Sequence, residues 1–296
     1  MDVVTAIVTG VVVLLAFNLP WAVFAGMNFR VGLTLPWAVV PMALYIAAAW
    51  QVARGTWGGG DGVRRRALLR ANRLSTRLWI ASLGAGLLGF ASLLMLLAAA
   101  ARIVHLPVST AITSPAGMAP LTMAVLLTMQ SIVAAVSEEA AFRGYMQTMI
   151  ERAHGPVLAV IVSGLVFGLL HFGNHPRDVV LMLPYYVAVS AVYGGLTWAC
   201  DSILPALVLH AVGDTVVLIR WWTTGLAEWQ VTATVPSLIS ETGVDRPFVG
   251  VAAAALILCG TTAFGVSAVR RMWNAERHAL EVGMATGTPR STEIIL

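Results

Sequence analysis

Three apolar segments of this sequence contain acids and histidines that could act on a substrate. The first carries Glu138, Glu139 and Arg143 within the run 119–150, which shows no break after Pro120 and predicts one long helix. Glu139 and Arg143 are four residues apart with the acid first, so they share a helix face in the order that favours an ion pair. Glu138 points about 100° away around the same helix and lacks a local partner.

Because Glu138 has no local partner, it is a candidate for a catalytic role. A charged side chain at the centre of a bilayer helix costs about 2.5–3.5 kcal/mol on insertion scales. A carboxyl without a partner there either holds a proton or meets a partner from another helix. A carboxyl that can exchange a proton near neutral pH suits general acid–base catalysis, such as the activation of a water molecule.

Two histidine motifs follow on later apolar segments. His171 ends the sequence FGLLH, and Gly164 and Gly168 precede it on nearly the same face, where small residues let a neighbouring helix approach closely. His210 and Asp214 lie four residues apart in HAVGD. Because they face the same way, the carboxylate can fix the imidazole tautomer or share a bound ion or water.

Counting along the predicted helices places these groups at depths where they can meet. At about 1.5 Å per residue, Glu138 lies about 18 Å from the membrane edge near Ile150, and His171 and His210 lie about 22 Å and about 10 Å deep. Converging charged groups are hard to explain by packing alone. The sequence therefore predicts one intramembrane cavity, open to the cytoplasm, that contains all three motifs.

Composition indicates the kind of protein that positions these groups. Of 296 residues, 58% are hydrophobic and 11% are charged, whereas soluble proteins carry about 25% charged residues. An ordinary soluble enzyme is therefore excluded, and the fold class predicted is all-α, a polytopic integral membrane protein with about eight transmembrane helices. The apolar runs are 3–25, 31–53, 79–101, 119–150, 156–172, 178–199, 203–221 and 248–269.

The distribution of arginine predicts the orientation in the membrane. All 18 basic residues are arginine, which is typical of a GC-rich genome and predicts a bacterial cell membrane. Cytoplasmic termini would place twelve arginines inside and five outside, in agreement with the positive-inside rule. The connection 222–247, with Glu228, Glu241 and Asp245, would then be external. The inside set is Arg54, Arg64, Arg65, Arg66, Arg70, Arg73, Arg77, Arg152, Arg270, Arg271, Arg277 and Arg290, and the outside set is Arg30, Arg102, Arg177, Arg220 and Arg246.

A basic segment precedes the third apolar run. In residues 63–78 arginines recur at helical spacing opposite Ala and Leu, which predicts an interfacial helix on anionic lipid, with docking of an acidic partner as the alternative. The net charge of +4 and arginines placed between apolar runs argue against binding of nucleic acid.

The three motifs in this order resemble the CPBP (CAAX protease, or Abi) family of intramembrane proteases, which includes the type II CAAX prenyl endopeptidases. The family pattern EExxxR, FxxxH and HxxxN or HxxxD is matched by EEAAFR (138–143), FGLLH (167–171) and HAVGD (210–214). The lead-in DSILPALVLH is also similar. The resemblance covers residues 119–219, and the corresponding division of the chain is 1–118, a catalytic core at 119–222, and 223–296.

The resemblance implies hydrolysis of a peptide bond inside the membrane. Glu138 and His171 would hold and activate water, with His210 and Asp214 on the oxyanion side. Asp214 would have to be protonated to donate a hydrogen bond there, or would instead orient His210. The supporting or substrate-binding residues implied are Glu139, Arg143 and Phe167. The cofactor is either none or Zn²⁺, because two carboxylates and two histidines could ligate zinc although no HExxH is present.

Three functions are compatible with these residues. The first is a membrane endopeptidase acting on a peptide or protein substrate at the membrane. The second is a non-catalytic scaffold or regulator of the same fold, which would not need Glu138. The third is a transporter or proton pathway, which would predict broken helices and paired halves that the sequence does not show.

Overall fold

The computed structural model describes residues 2–107, 111–171 and 179–286, and the regular structure in these ranges is entirely helical. In chain order the elements are α1 (Val3–Val31), α2 (Val39–Ala53), α3 (Gly62–Leu69), α4 (Thr76–Ala100), α5 (Pro120–Glu138), a π-helical segment (Glu139–Met146), α6 (Gln147–His154), α7 (Pro156–Leu170), α8 (Val179–Cys200), α9 (Leu204–Thr224), α10 (Ile239–Thr242) and α11 (Arg246–Thr286).

Within the described ranges, 6 helices are long and apolar enough to cross a membrane. They are α1, α4, the continuous helix Pro120–His154, α8, α9 and α11. The predicted runs 31–53 and 156–172 instead form α2 and α7, which have 15 residues each and are shorter than the roughly 20 residues of a typical span. The all-helical prediction is confirmed and the helices fit a multi-pass membrane protein, but the count of eight spans is not confirmed.

The continuous helix Pro120–His154 lies at the centre of the molecule. In its most apolar window 61% of residues are buried, compared with 6% for α11. α9 packs along α5, and α1 packs along the π-helical segment. The pairs α7–α8 and α4–α11 complete the packing around this centre. A helix covered in this way can hold ionisable side chains away from lipid.

The central helix changes from α to π form directly after Glu138. All eight residues from Glu139 to Met146 are buried. A π segment has i→i+5 hydrogen bonds, is rare, and is frequent at functional sites. The predicted single long helix is therefore present, with an irregularity between the two glutamates that periodicity does not indicate.

The close packing predicted from the GxxxG spacing is confirmed between α7 and α8. A methyl group added to Gly164 would lie 3.1 Å from Cα of Val187. One added to Gly168 would lie 2.9 Å from Leu183 Cδ2 and 3.1 Å from Tyr186 Cβ. The two glycines thus bring α8 against the end of α7 that leads to the predicted histidine.

The prediction of one helix over residues 63–78 is wrong. α3 ends at Leu69, and an irregular stretch leads to α4. Arg70 has a left-handed φ of 52° and is buried, with ion pairs of 2.6 Å to Glu151 and 3.5 Å to Asp201. These partners are distant in sequence, and their interaction with Arg70 stabilises the break in the helix. Binding of anionic lipid by the remaining arginines stays a prediction.

The connection after α9 is fastened to the rest of the protein. Arg102, after the end of α4, contacts Asp245 at 2.8 Å, directly before α11. Hydrogen bonds from Arg102 lower the pKa of the Asp245 carboxyl. The orientation of the chain in the membrane stays a prediction, and two arginines on which it depends, Arg177 and Arg290, lie outside the described residues.

Candidate active site

Three helices bring the predicted catalytic residues to one cavity of about 470 Å³. Glu138 ends α5, His171 follows the last residue of α7, and His210 and Asp214 lie on α9. All four line this cavity, together with Phe167. The other walls are largely aliphatic and aromatic side chains of α4, α8 and α9. The convergence expected from helix depth is therefore present.

His210 lies between the two adjacent glutamates. Its Nδ1 is 2.8 Å from Glu139 Oε1, and its Nε2 is 3.6 Å from Glu138 Oε2. Asp214 Oδ2 lies 3.4 Å from the same Nε2. A carboxylate accepts hydrogen bonds, so Nδ1 donates to Glu139 and Nε2 faces the two cavity-lining acids. Glu138 thus meets a partner from another helix, which is one of the two alternatives that the sequence left open.

Glu139 and Arg143 form a fully buried ion pair behind the cavity. Arg143 Nη1 lies 3.2 Å from Glu139 Oε1, and both side chains are 0% exposed. Among the described residues the guanidinium nitrogens have no partner with hydrogen-bond geometry. The guanidinium instead lies 4.8 Å from the centre of the Phe167 ring and 5.0 Å from that of Tyr193. Charge attraction and cation–π contacts therefore stabilise the buried arginine.

The ring of His171 is fixed by one hydrogen bond and two aromatic neighbours. Its Nδ1 lies 2.7 Å from the carbonyl oxygen of Phe167. Because a carbonyl only accepts, Nδ1 carries the proton and leaves Nε2 free to bind a polar group in the cavity. The ring centre is 4.5 Å from those of Phe167 and Tyr186. Phe167 therefore connects the buried arginine to this histidine.

The segment that carries the site is similar to a known protein family. Residues 120–216 match the model of a family described as type II CAAX prenyl endopeptidase Rce1-like. Over this segment the chain is similar to that family. The match contains all three motifs and agrees with their resemblance to the CPBP family. No curated protein and no solved structure matches the chain.

A second cavity adjoins the same site. It has a volume of about 260 Å³ and is lined by α1 residues together with Glu138 and His171. Asn18 also lines it and donates a hydrogen bond of 2.7 Å to Ser137 Oγ. Of the described lining residues, only Glu138 and His171 belong to both cavities. These two side chains therefore form a partition that a ligand spanning both cavities would have to contact.

The acidic and histidine side chains of the site do not form a metal-binding arrangement within the described ranges. Among the residues that the structure describes, no three His, Cys, Asp or Glu side chains are arranged to hold one. His171 Nδ1 and His210 Nδ1 are occupied by a carbonyl and a carboxylate. The described residues therefore do not fit a resident zinc ion.

Glu228 is a cavity residue that sequence analysis missed. The sequence predicts only that it lies in the external connection 222–247, but the structure places it in the wall of the large cavity. Tyr186 donates a hydrogen bond of 3.2 Å to Glu228 Oε1. Burial raises the pKa of this carboxyl to about 7. Its position depends on contacts between distant segments, so no spacing pattern in the sequence indicates it.

Proposed function

We propose that this protein is a membrane-embedded endopeptidase that hydrolyses a peptide bond in a membrane-associated or small peptide substrate. The observation that carries the proposal is the convergence of Glu138, His171, His210 and Asp214 on one cavity within the Rce1-like segment. Buried carboxyls and imidazoles in a cavity of this kind are typical of general acid–base sites.

The attacking water would bind between Glu138 and His171 Nε2. Glu138 takes one proton from the water while the oxygen of that water attacks the carbonyl carbon, which gives a tetrahedral oxyanion. Glu138 then gives this proton to the amide nitrogen as the C–N bond breaks, which leaves a carboxylic acid and an amine. The Nδ1 proton of His171 is bonded to a carbonyl oxygen. Its Nε2 can therefore accept a hydrogen bond from the water and hold it in place.

His210 would stabilise the oxyanion from the other side. Glu139 holds Nδ1, so a proton on Nε2 would be available to the developing negative charge. Asp214 lies 3.4 Å from Nε2, which supports a role in orienting His210 over direct donation to the oxyanion. Glu139 and Arg143 act as positioning residues because they lie behind the groups that touch the substrate. Phe167 lines the cavity and positions His171 through its carbonyl oxygen and its ring.

The two cavities indicate how a peptide would lie in the site. A scissile bond held at Glu138 and His171 has chain on both sides, and each side has a cavity to enter. The walls of the large cavity are mainly apolar, so the segment bound there would be apolar as well.

We also propose the orientation inferred from the arginines, with both termini cytoplasmic in a bacterial cell membrane. In the basic segment, Arg64, Arg66, Arg73 and Arg77 are exposed and would contact anionic lipid. Labelling of a cysteine placed at position 60 in intact cells tests this orientation. An impermeant reagent should fail to label it, and ready labelling would contradict the proposal.

Hydrolysis itself can be tested with purified protein and quenched fluorescent apolar peptides in ¹⁸O-labelled water. We expect cleavage at a defined bond, with one labelled oxygen in the new carboxyl group. Glu138→Gln should abolish both signals while the protein stays folded. Absence of cleavage by the folded wild-type protein across a diverse peptide set would favour a non-catalytic scaffold.

A further inference from the structure

A turn held by hydrogen bonds on both sides of Glu228 places this residue in the wall of the large cavity. Arg220 Nη2 donates a hydrogen bond to the carbonyl of Ala227, the residue before Glu228. The residue after it, Trp229, is 2% exposed and donates a hydrogen bond of 2.7 Å to the carbonyl of Pro107. Both neighbours of the glutamate are therefore fixed, and its place in the cavity wall is determined by packing.

One aromatic side chain separates Glu228 from the proposed catalytic histidine. The ring of Tyr186 stacks on His171 with centres 4.5 Å apart, and its hydroxyl donates to the Glu228 carboxylate. At about 3.3–3.6 Å per extended residue, a group bound by Glu228 would lie about one to three residues from the scissile bond.

Glu228 lies near several ionisable groups of the cavity wall but forms no ion pair within the described part of the chain. Among the described residues, no ion pair joins it to an arginine or histidine. The nearby Arg220 binds backbone carbonyls of the turn. The ionisable groups that share the cavity wall with Glu228 are Glu138 on α5, His171 after α7, Tyr185, Tyr186 and Tyr193 on α8, and His210, Asp214 and Arg220 on α9.

We propose that Glu228 is a specificity-determining residue that binds a cationic group of the substrate, either a basic side chain or a free amino terminus. The proposal rests on the proposed endopeptidase function and names the substrate class: an apolar peptide with a positive charge near the cleaved bond. Apolar walls bind the rest of the segment, and a carboxylate at this position would favour a cation over a neutral group.

Protonation of Glu228 gives this preference a defined pH dependence. Burial raises the pKa of the carboxyl to about 7, so the carboxyl of the free protein loses its proton as pH rises through that value. A cation binds the ionised form, and the preference for a basic peptide should therefore grow between about pH 6 and 8.

The test uses full-length protein in detergent and matched quenched fluorescent peptides. The peptides are identical apolar decapeptides with one Arg, Gln or Glu placed in turn at each of the three positions on either side of the cleaved bond. We expect kcat/KM for the best Arg peptide to exceed that of its Gln counterpart about tenfold or more, in line with hydrogen bonds to charged groups.

Three variants decide the assignment. Glu228→Gln should remove the Arg preference and its pH dependence, and Glu228→Arg should shift the preference to the Glu peptide. The matched control is Glu241→Gln, which removes an exposed carboxyl of the same connection and should keep the wild-type ratio. An unchanged Arg-to-Gln ratio in folded Glu228→Gln, or no Arg preference at any position in wild type, would overturn the proposal.

A binding measurement separates this proposal from the proposed function. Affinities of the same Arg and Gln peptides are measured with Glu138→Gln protein, with and without Glu228→Gln, so that no cleavage is required. Tighter binding of the Arg peptide than of the Gln peptide, lost when Glu228→Gln is added, supports the cation site even if wild type cleaves nothing. Equal affinities would reject the site even if wild type is an active peptidase.

Discussion

Two neighbouring regions of the site place the same kind of side chain, a glutamate, in different surroundings. The cavity face, formed by Glu138 and His171, lines both cavities. The buried layer behind it, formed by Glu139 and Arg143, is 0% exposed. Glu138 is 16% exposed and lies 3.6 Å from His210, whereas Glu139 lies 2.8 Å from the other nitrogen of the same ring.

The difference shows how one helix can supply both a reactive group and its support. The helix turns from α to π form between the two glutamates, and the second glutamate is paired with a buried cation. Removing one partner of the ion pair leaves a buried charge unpaired, which lowers the free energy of unfolding. Losing a cavity-face side chain leaves space that water can fill. The cavity face should therefore control rate, and the buried layer should control stability.

The largest expected effect is on the cavity face. His171→Ala should lower kcat/KM by about 10²–10⁴-fold, since the histidine helps to hold the attacking water. Cleavage of a quenched apolar peptide measures the loss. His154→Ala, which removes an exposed histidine at the end of α6, is the matched control and should stay within about twofold of wild type. Equal rates in both variants would remove His171 from the mechanism.

The next effect concerns the buried layer. Arg143→Ala leaves the Glu139 carboxylate buried without its cation, which typically costs about 3–5 kcal/mol. Thermal melting in detergent should show a large decrease in Tm. Arg152→Ala removes an exposed side chain with one hydrogen bond to a carbonyl and should change Tm little. If Arg143→Ala were inactive but fully stable, Arg143 would belong to the cavity face.

A smaller effect tests the support of His171 by α8. Gly164→Ala would place a methyl group 3.1 Å from the backbone of Val187, and such overpacking costs about 1–3 kcal/mol. Gly260→Ala on α11 meets nothing within 4 Å and should stabilise its helix by up to about 1 kcal/mol. Opposite shifts in Tm are expected, and a stabilised Gly164→Ala protein would contradict the described packing.

The smallest effect is a pH dependence of stability due to Glu228. Its folded-state pKa is raised from 4.5 to about 7, so the folded protein binds more protons than the unfolded chain between these values. This group therefore destabilises the fold as pH rises through that window. Tm measured from pH 4 to 8 should fall less in Glu228→Gln than in wild type. Parallel curves would show that Glu228 is not buried as described.

The sequence predicts the parts of the site that depend on helix periodicity and on the free-energy cost of placing a charged side chain in the membrane. The spacing of Glu139 and Arg143 predicts their ion pair, and helix depth predicts that Glu138, His171 and His210 can meet. The ion pair depends on the geometry of one helix, and the depth of each group depends on a count of residues along its own helix.

The parts that sequence misses depend on contacts between distant segments. Arg70 breaks a helix because Glu151 and Asp201 bind it, and neither is near it in the chain. Glu228 enters the cavity because the turn that carries it is fastened to α9 and to Pro107. The π-helical segment also has no pattern of apolar residues that distinguishes it from an α-helix.

The most direct test of the account is a matched comparison of Glu138→Gln and Glu139→Gln in the same detergent. Peptide cleavage and Tm are measured for both variants and for wild type. We expect Glu138→Gln to lose about 10²–10⁴-fold in rate with a Tm near that of wild type, and Glu139→Gln to lose both activity and several degrees of Tm. Near wild-type cleavage by Glu138→Gln, or equal unfolding of both variants, would contradict the division between a cavity face and a buried layer.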